Sequence, residues 1–82
     1  MIMDLTTNQI KYLLTIYELD PKARGVRSIS IANKLHITRA SVHAMLDKLE
    51  DLELITKEHY GIVFLTDVGL EMSKNYLQEV KK

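Results

Sequence analysis

One stretch, residues 28–52, SISIANKLHITRASVHAMLDKLEDL, constrains the fold of this chain more than any other. Ile31, Ala32 and Leu35 are spaced for one face of a short helix. Val42, Met45, Leu46, Leu49 and Leu52 are spaced for one face of a longer one. Between these stripes stand only His36, Ile37 and Thr38, and Thr38 is a residue type that caps helices. Two helices joined this tightly cross at an angle, and the second presents its N-terminal residues outward.

The flanks complete an architecture. Thr6-x-x-Gln9 is a capping-box pattern, and Ile10, Leu13, Leu14 and Tyr17 follow as one helical face. Asp20-Pro21 ends that helix, because proline disfavours helical geometry in the residue before it. Residues 22–25 read as a loop and Val26-Arg27 as a very short strand, with Ser28 as N-cap of the second helix. After Leu52 the period shortens. Residues 54–57 and 62–65 are β-rich runs around His59-Tyr60-Gly61, a hairpin signal. Thr66 is placed to cap a last helix carrying Leu70, Tyr76, Leu77 and Val80. The order helix, strand, helix, helix, hairpin, helix predicts a mainly α protein with a small β-hairpin. That is a winged helix-turn-helix, one domain over residues 1–82, with the hairpin as the wing. At 82 residues and 46% hydrophobic, the chain holds one small core.

Several function classes are excluded. Without cysteine there is no disulfide, cysteine zinc site or thiol catalysis. No apolar run approaches the roughly 20 residues that span a bilayer. The start, MIMDLTTNQIKYLL, lacks the basic and small-residue features of a signal peptide, so a cytoplasmic protein is expected. His36, His43 and His59 form no ligand pair at helical spacing, and no catalytic set or phosphate-cradling glycine loop occurs. The expectation is no enzyme, no metal, no cofactor and no evident small-molecule effector.

Charge points to double-stranded DNA despite a formal net charge of zero. Residues 21–46 hold Lys22, Arg24, Arg27, Lys34 and Arg39 and no acid. Residues 47–58 hold Asp47, Glu50, Asp51, Glu53 and Glu58 against Lys48 and Lys57. The basic part coincides with the two linked helices, an electrostatic footprint for phosphate. With the apolar stripe turned inward, Arg39, Ala40, Ser41, His43, Ala44 and Lys48 lie on or near the outer face of the second linked helix. The N-terminal part of such a helix enters the major groove. Arg39 suits a bidentate contact to guanine, and Ala40 or Ala44 suits a thymine methyl. Ser41 and His43 suit bases or phosphates. Arginine at a helix start opposes the helix dipole, which favours a role outside the helix. Thr38 and Ser28 can offer hydroxyl or backbone N–H groups to phosphate. Arg27, Lys34 and Lys57 are candidates for backbone contacts, and Tyr60 at the wing tip for the flanking DNA. The plainer alternative for each is a solvated surface residue, or for Thr38 a cap and for Tyr60 packing on the domain.

The chain also resembles a known family. YLLTIYEL at 12–19, VRSISIANKL at 26–35, SVHAMLDKLEDLELI at 41–55 and Tyr60-Gly61-Ile62 followed by LTDVG at 65–69 are similar to the N-terminal domain of the iron-dependent repressor (DtxR-like) metalloregulators. The resemblance implies a winged-helix DNA reader. It also implies metal ligands on the first helix, just before Tyr12 and two residues after it. Those positions hold Lys11 and Leu14, neither of which binds a divalent ion at neutral pH, so metal sensing is not carried over. Family members continue into a helical metal-binding and dimerisation domain. This chain ends at Lys82, so a stand-alone reader is the expectation.

One winged helix reads few base pairs, so a homodimer on two half-sites is expected. Met3 and Leu5 before the first helix, with Leu70, Tyr76, Leu77 and Val80 on the last, supply the apolar surface. The alternative is that they complete the monomer core. The sequence thus predicts a sequence-specific transcriptional regulator, a repressor by promoter occlusion, with recognition helix 38–52 and wing 54–65. A winged helix serving as a protein–protein interaction module is the alternative, supported by the neutral net charge and the acidic segment.

Overall fold

A computed structural model describes residues 5–58 and 61–80, with side chains through residue 78. Helix α1 (Thr7–Leu19) starts at the capping box. The Gln9 N–H donates to Thr6 Oγ1 at 3.1 Å, and the Thr6 N–H donates to Gln9 Oε1 at 2.9 Å. The helix stops at Asp20, whose carboxylate accepts the N–H groups of Arg24 and Gly25 at 2.6 and 2.9 Å. Those bonds fold the loop back toward β1 (Val26–Arg27). The buried face of α1 is Tyr12, Leu13, Thr15 and Ile16, rotated from the expected Ile10, Leu13, Leu14 and Tyr17. The helix packs on α2, α3, β3 and α4 together, so it needs a wider apolar face than a one-sided stripe. Thr15 is tolerated inside because its hydroxyl donates to the Lys11 carbonyl at 2.7 Å.

Helix α2 (Ser28–Leu35) follows β1 with no intervening residue. Its N-cap is therefore Arg27, with no side-chain cap, and Ser28 is the first helical residue rather than the cap. The turn is made by His36 in the left-handed region, φ 56° and ψ 47°. The N–H groups of His36 and Ile37 both donate to the Ala32 carbonyl, closing the end of α2. Helix α3 (Arg39–Asp51) then begins at Thr38, whose Oγ1 accepts the Ser41 N–H at 3.1 Å.

The wing is β2 (Ile55–Glu58) and β3 (Ile62–Leu65). β2 begins one residue later than expected because Leu54 belongs to the corner after α3. Its N–H donates to Leu49 O and its carbonyl accepts from the Thr66 N–H, both at 3.0 Å. The sheet is antiparallel, in the order β1-β3-β2, with Val26 opposite Val63 and Lys57 opposite Val63 from the other side. Helix α4 (Asp67–Val80) starts at Thr66, whose Oγ1 accepts the Gly69 N–H at 3.0 Å.

All these elements close on one core. Leu13 and Ile16 of α1, Ile31 of α2, Val42, Leu46 and Leu49 of α3, and Leu54, Ile55 and Val63 around the wing are fully buried. Met45 and Leu52, expected inside, are half-buried and pack against its edge, as do Leu35, Ile37 and Met72. α3 thus uses a narrow stripe, Val42, Leu46 and Leu49, and leaves most of its circumference outside.

Candidate nucleic-acid interface

The exposed side of α3 is two rows of residues at i, i+4 spacing. Arg39, His43 and Asp47 form one, Ala40, Ala44 and Lys48 the other. Small side chains in the second row let a helix approach a groove wall closely. The first row runs from cation to anion, so its positive end coincides with the N-terminus of the helix.

Arg39 and His43 do not face open solvent alone. They share an open groove of about 280 Å³ with Arg27, Ser28, Ile29 and Gly61. Four parts of the fold build it: the first half of α3, the start of α2, the end of β1, and Gly61 at the turn of the wing. Arg27 arrives there because it pairs with Ile62, the residue after Gly61. Gly61, at φ +72°, crowds the start of α2: a Cβ on it would lie 2.9 Å from Ser28 Oγ. The groove therefore gathers two guanidinium groups, an imidazole, a hydroxyl and the first turns of two helices, whose free N–H groups favour anions.

Four of the expected DNA-contacting residues, Arg27, Ser28, Arg39 and His43, thus meet in one place. Thr38 and Ser41 are outside the groove lining, with their hydroxyls 3.0 Å apart. Ala40, Lys34 and Lys48 are exposed but lie outside the groove lining. Among the described residues, Arg27, Lys34, Arg39 and Lys48 make no ion pair. Lys57 departs from expectation. Its ammonium is bonded to Asp47 and stands 3.8 Å from Glu50, and its N–H donates to Glu50 Oε2 at 3.3 Å. The Asp47 hydrogen bond raises the pKa of this lysine above its ordinary value. Tyr60 lies outside the described residues. Sequence reasoning misses Ile29 as a lining residue and places Gly61 only in the wing tip. Ile29 falls off the Ile31, Ala32, Leu35 stripe, which is the available signal that it points elsewhere.

Lys11 is exposed and lines a separate cleft of about 170 Å³ with Asn8, Tyr12, Leu35, Ile37 and Ser41. Leu14 is half-buried. Among the described residues there is no group of three or more His, Asp or Glu side chains arranged to hold a metal ion. Nor is any helix among them long and apolar enough to cross a membrane.

The order of elements and the β1-β3-β2 sheet define a winged-helix domain. The chain belongs to the iron dependent repressor family: the model of its N-terminal DNA-binding domain matches residues 4–63. Solved structures share the fold, transcription regulators among them. AF1382 from Archaeoglobus fulgidus superposes with a TM-score of 0.84 at 23% identity, over 94% of this chain and 89% of that one. MepR, a transcription regulator of the Staphylococcus aureus multidrug efflux pump MepA, gives 0.79 at 25% identity, over 92% of this chain and 56% of its own. ZitR of Lactococcus lactis gives 0.81 at 26% identity, over 99% of this chain and 54% of its own, and is also solved in complex with DNA. The chain thus spans about half the length of MepR and ZitR. No curated protein matches it. MepR is a transcription regulator and the matched family domain binds DNA, and the chain is a DNA-binding transcription regulator.

Proposed function

We propose that this protein is a sequence-specific repressor that binds its operator as a homodimer and blocks the promoter by occupancy. The observation that carries the reading is the groove where Arg27, Ser28, Arg39 and His43 converge at the junction of α2, α3 and the wing. In this reading α3 lies in the major groove, with Arg39, Ala40, Ser41 and His43 at base edges. Arg27, Ser28, Lys34, Thr38 and Lys48 hold the phosphates on either side. Tyr60 extends the contact along the flanking DNA. ZitR, a protein of the same fold, is solved in complex with DNA, which supports DNA as the partner.

The dimer in this reading forms through α4. Leu70, Tyr76 and Leu77 are half-buried, and Val68 near the start of the same helix is 51% exposed. Leu5 packs against the monomer core, so its contribution to a dimer is smaller than expected. Met3 and the Val80 side chain lie outside the described residues. The control input is not metal at the first-helix positions, since Lys11 and Leu14 offer no ligands, and no effector is assigned. Such a reader works in the cytoplasm, where its DNA is.

Selection of bound duplexes from a random pool tests the whole reading. Two inverted half-sites about 34 Å apart, one helical turn, are expected. A single asymmetric site contradicts the dimer, and no enrichment contradicts sequence-specific binding.

A further inference from the structure

We infer that Lys57 is a positioning residue: it fastens the wing to the recognition helix rather than touching DNA. The inference deepens the DNA-binding reading and rests on it only for its second measurement. β2 is joined to α3 at two points. The Lys57 ammonium bonds Asp47 and approaches Glu50, while the Lys57 N–H donates to Glu50 Oε2. Asp47 and Glu50 stand one turn apart on the same side of α3. Asp47 also continues the row of Arg39 and His43. The helix therefore uses the N-terminal end of that row to face the groove and its C-terminal end to hold β2.

The wing has a second anchor. β3 pairs with β1, Arg27 opposite Ile62, and β1 runs straight into α2. Held by α3 through β2 and joined to α2 through the β1-β3 pairing, the hairpin is set relative to both helices of the helix-turn-helix. A free lysine on β2 would add one cation to the DNA face. A paired one adds no cation but sets where Arg27 and the wing stand with respect to Arg39. The acidic segment at the end of α3 acquires a role by the same geometry: Asp47 and Glu50 are the partners that keep Lys57 off the phosphates.

Hydrogen exchange of the free protein and duplex binding across a salt series decide this. In Lys57→Met and in Asp47→Asn, the Lys57 amide and its β2 neighbours are expected to exchange about two- to fivefold faster, the range for one surface ion pair, with core amides of α1 unchanged. Lys57→Arg restores the wild-type rate. Lys57→Met should also weaken binding of the selected duplex about two- to fivefold, with an unchanged slope of log affinity against log salt. Unchanged exchange in both variants overturns the inference. So does a salt slope lowered by about one in Lys57→Met, the signature of a lost phosphate contact. If the wild-type protein binds no duplex at low salt, the DNA-binding reading fails, and the exchange rates alone decide whether Lys57 holds the wing.

Discussion

Gly69 in α4 lies so close to the Leu54 carbonyl that a Cβ on it would stand 2.0 Å from that oxygen. The same carbonyl accepts the Thr66 N–H at 3.0 Å, so it cannot swing away without breaking the corner between wing and last helix. Glycine is present in the first turn of α4 because two backbones come close there, leaving no room for a side chain. Gly69→Ala is expected to cost about 3 kcal/mol or more, the upper range for overpacking. Urea denaturation measures it. A loss near zero would contradict the close approach.

Glu53 follows the last turn of α3 at φ +63°, the position after a helix end where glycine is usual. Its backbone carbonyl accepts the Thr66 hydroxyl at 2.7 Å, a bond that does not need the side chain. Glu53→Gly should therefore stabilise the domain by about 0.5–1 kcal/mol, by removing the left-handed penalty. The denaturation midpoint should rise with the slope unchanged.

Alkaline pH should destabilise the fold through two groups. Burial raises the Tyr12 phenol above its ordinary 10.0, and the bond to Asp47 raises Lys57 above its ordinary 10.5. Both hold their protons more tightly in the folded chain. Their stabilisation is complete below the unfolded values and is lost as pH rises from about 10 through the raised folded values. Tyr12→Phe removes one of the two protons, so the fall in urea midpoint between about pH 9 and pH 11 should be shallower in that variant. An equally steep fall would show that Tyr12 does not contribute.

Lys34 and Lys48 are exposed and make no ion pair among the described residues, so they are the cleanest candidates for phosphate contacts. Each lysine-to-alanine change should weaken all duplexes about equally and lower the salt slope by about one. Loss of sequence preference without a change of slope would assign these lysines to base contacts instead.

Local chemistry is legible in the sequence, and distant chemistry is not. The Thr6-Gln9 capping box, the Thr38 cap, the His36-Ile37 turn and the hairpin each depend on neighbours within a few residues, and each appears as expected. Ser28 is the right residue type for a cap. A strand running straight into α2 displaces that role to Arg27, which no propensity reveals. Lys57 reads as a free cation because its partners lie seven and ten residues earlier, beyond a left-handed corner at Glu53. The groove itself is half visible. Arg39 and His43 share a helical row, but Arg27, Ile29 and Gly61 join them only through the β1-β3 pairing and the crossing of α2.

Everything proposed for DNA recognition depends on the groove at the junction of α2, α3 and the wing reading bases. The direct measurement compares wild-type protein and Arg39→Ala on the selected duplex and on duplexes substituted one base pair at a time, at fixed salt. The expected result is a loss of about 1–3 kcal/mol on the selected site and of preference at one base pair in each half-site, with preference elsewhere retained. Equal affinity and an identical base preference in Arg39→Ala would contradict the assignment of α3 as the recognition helix.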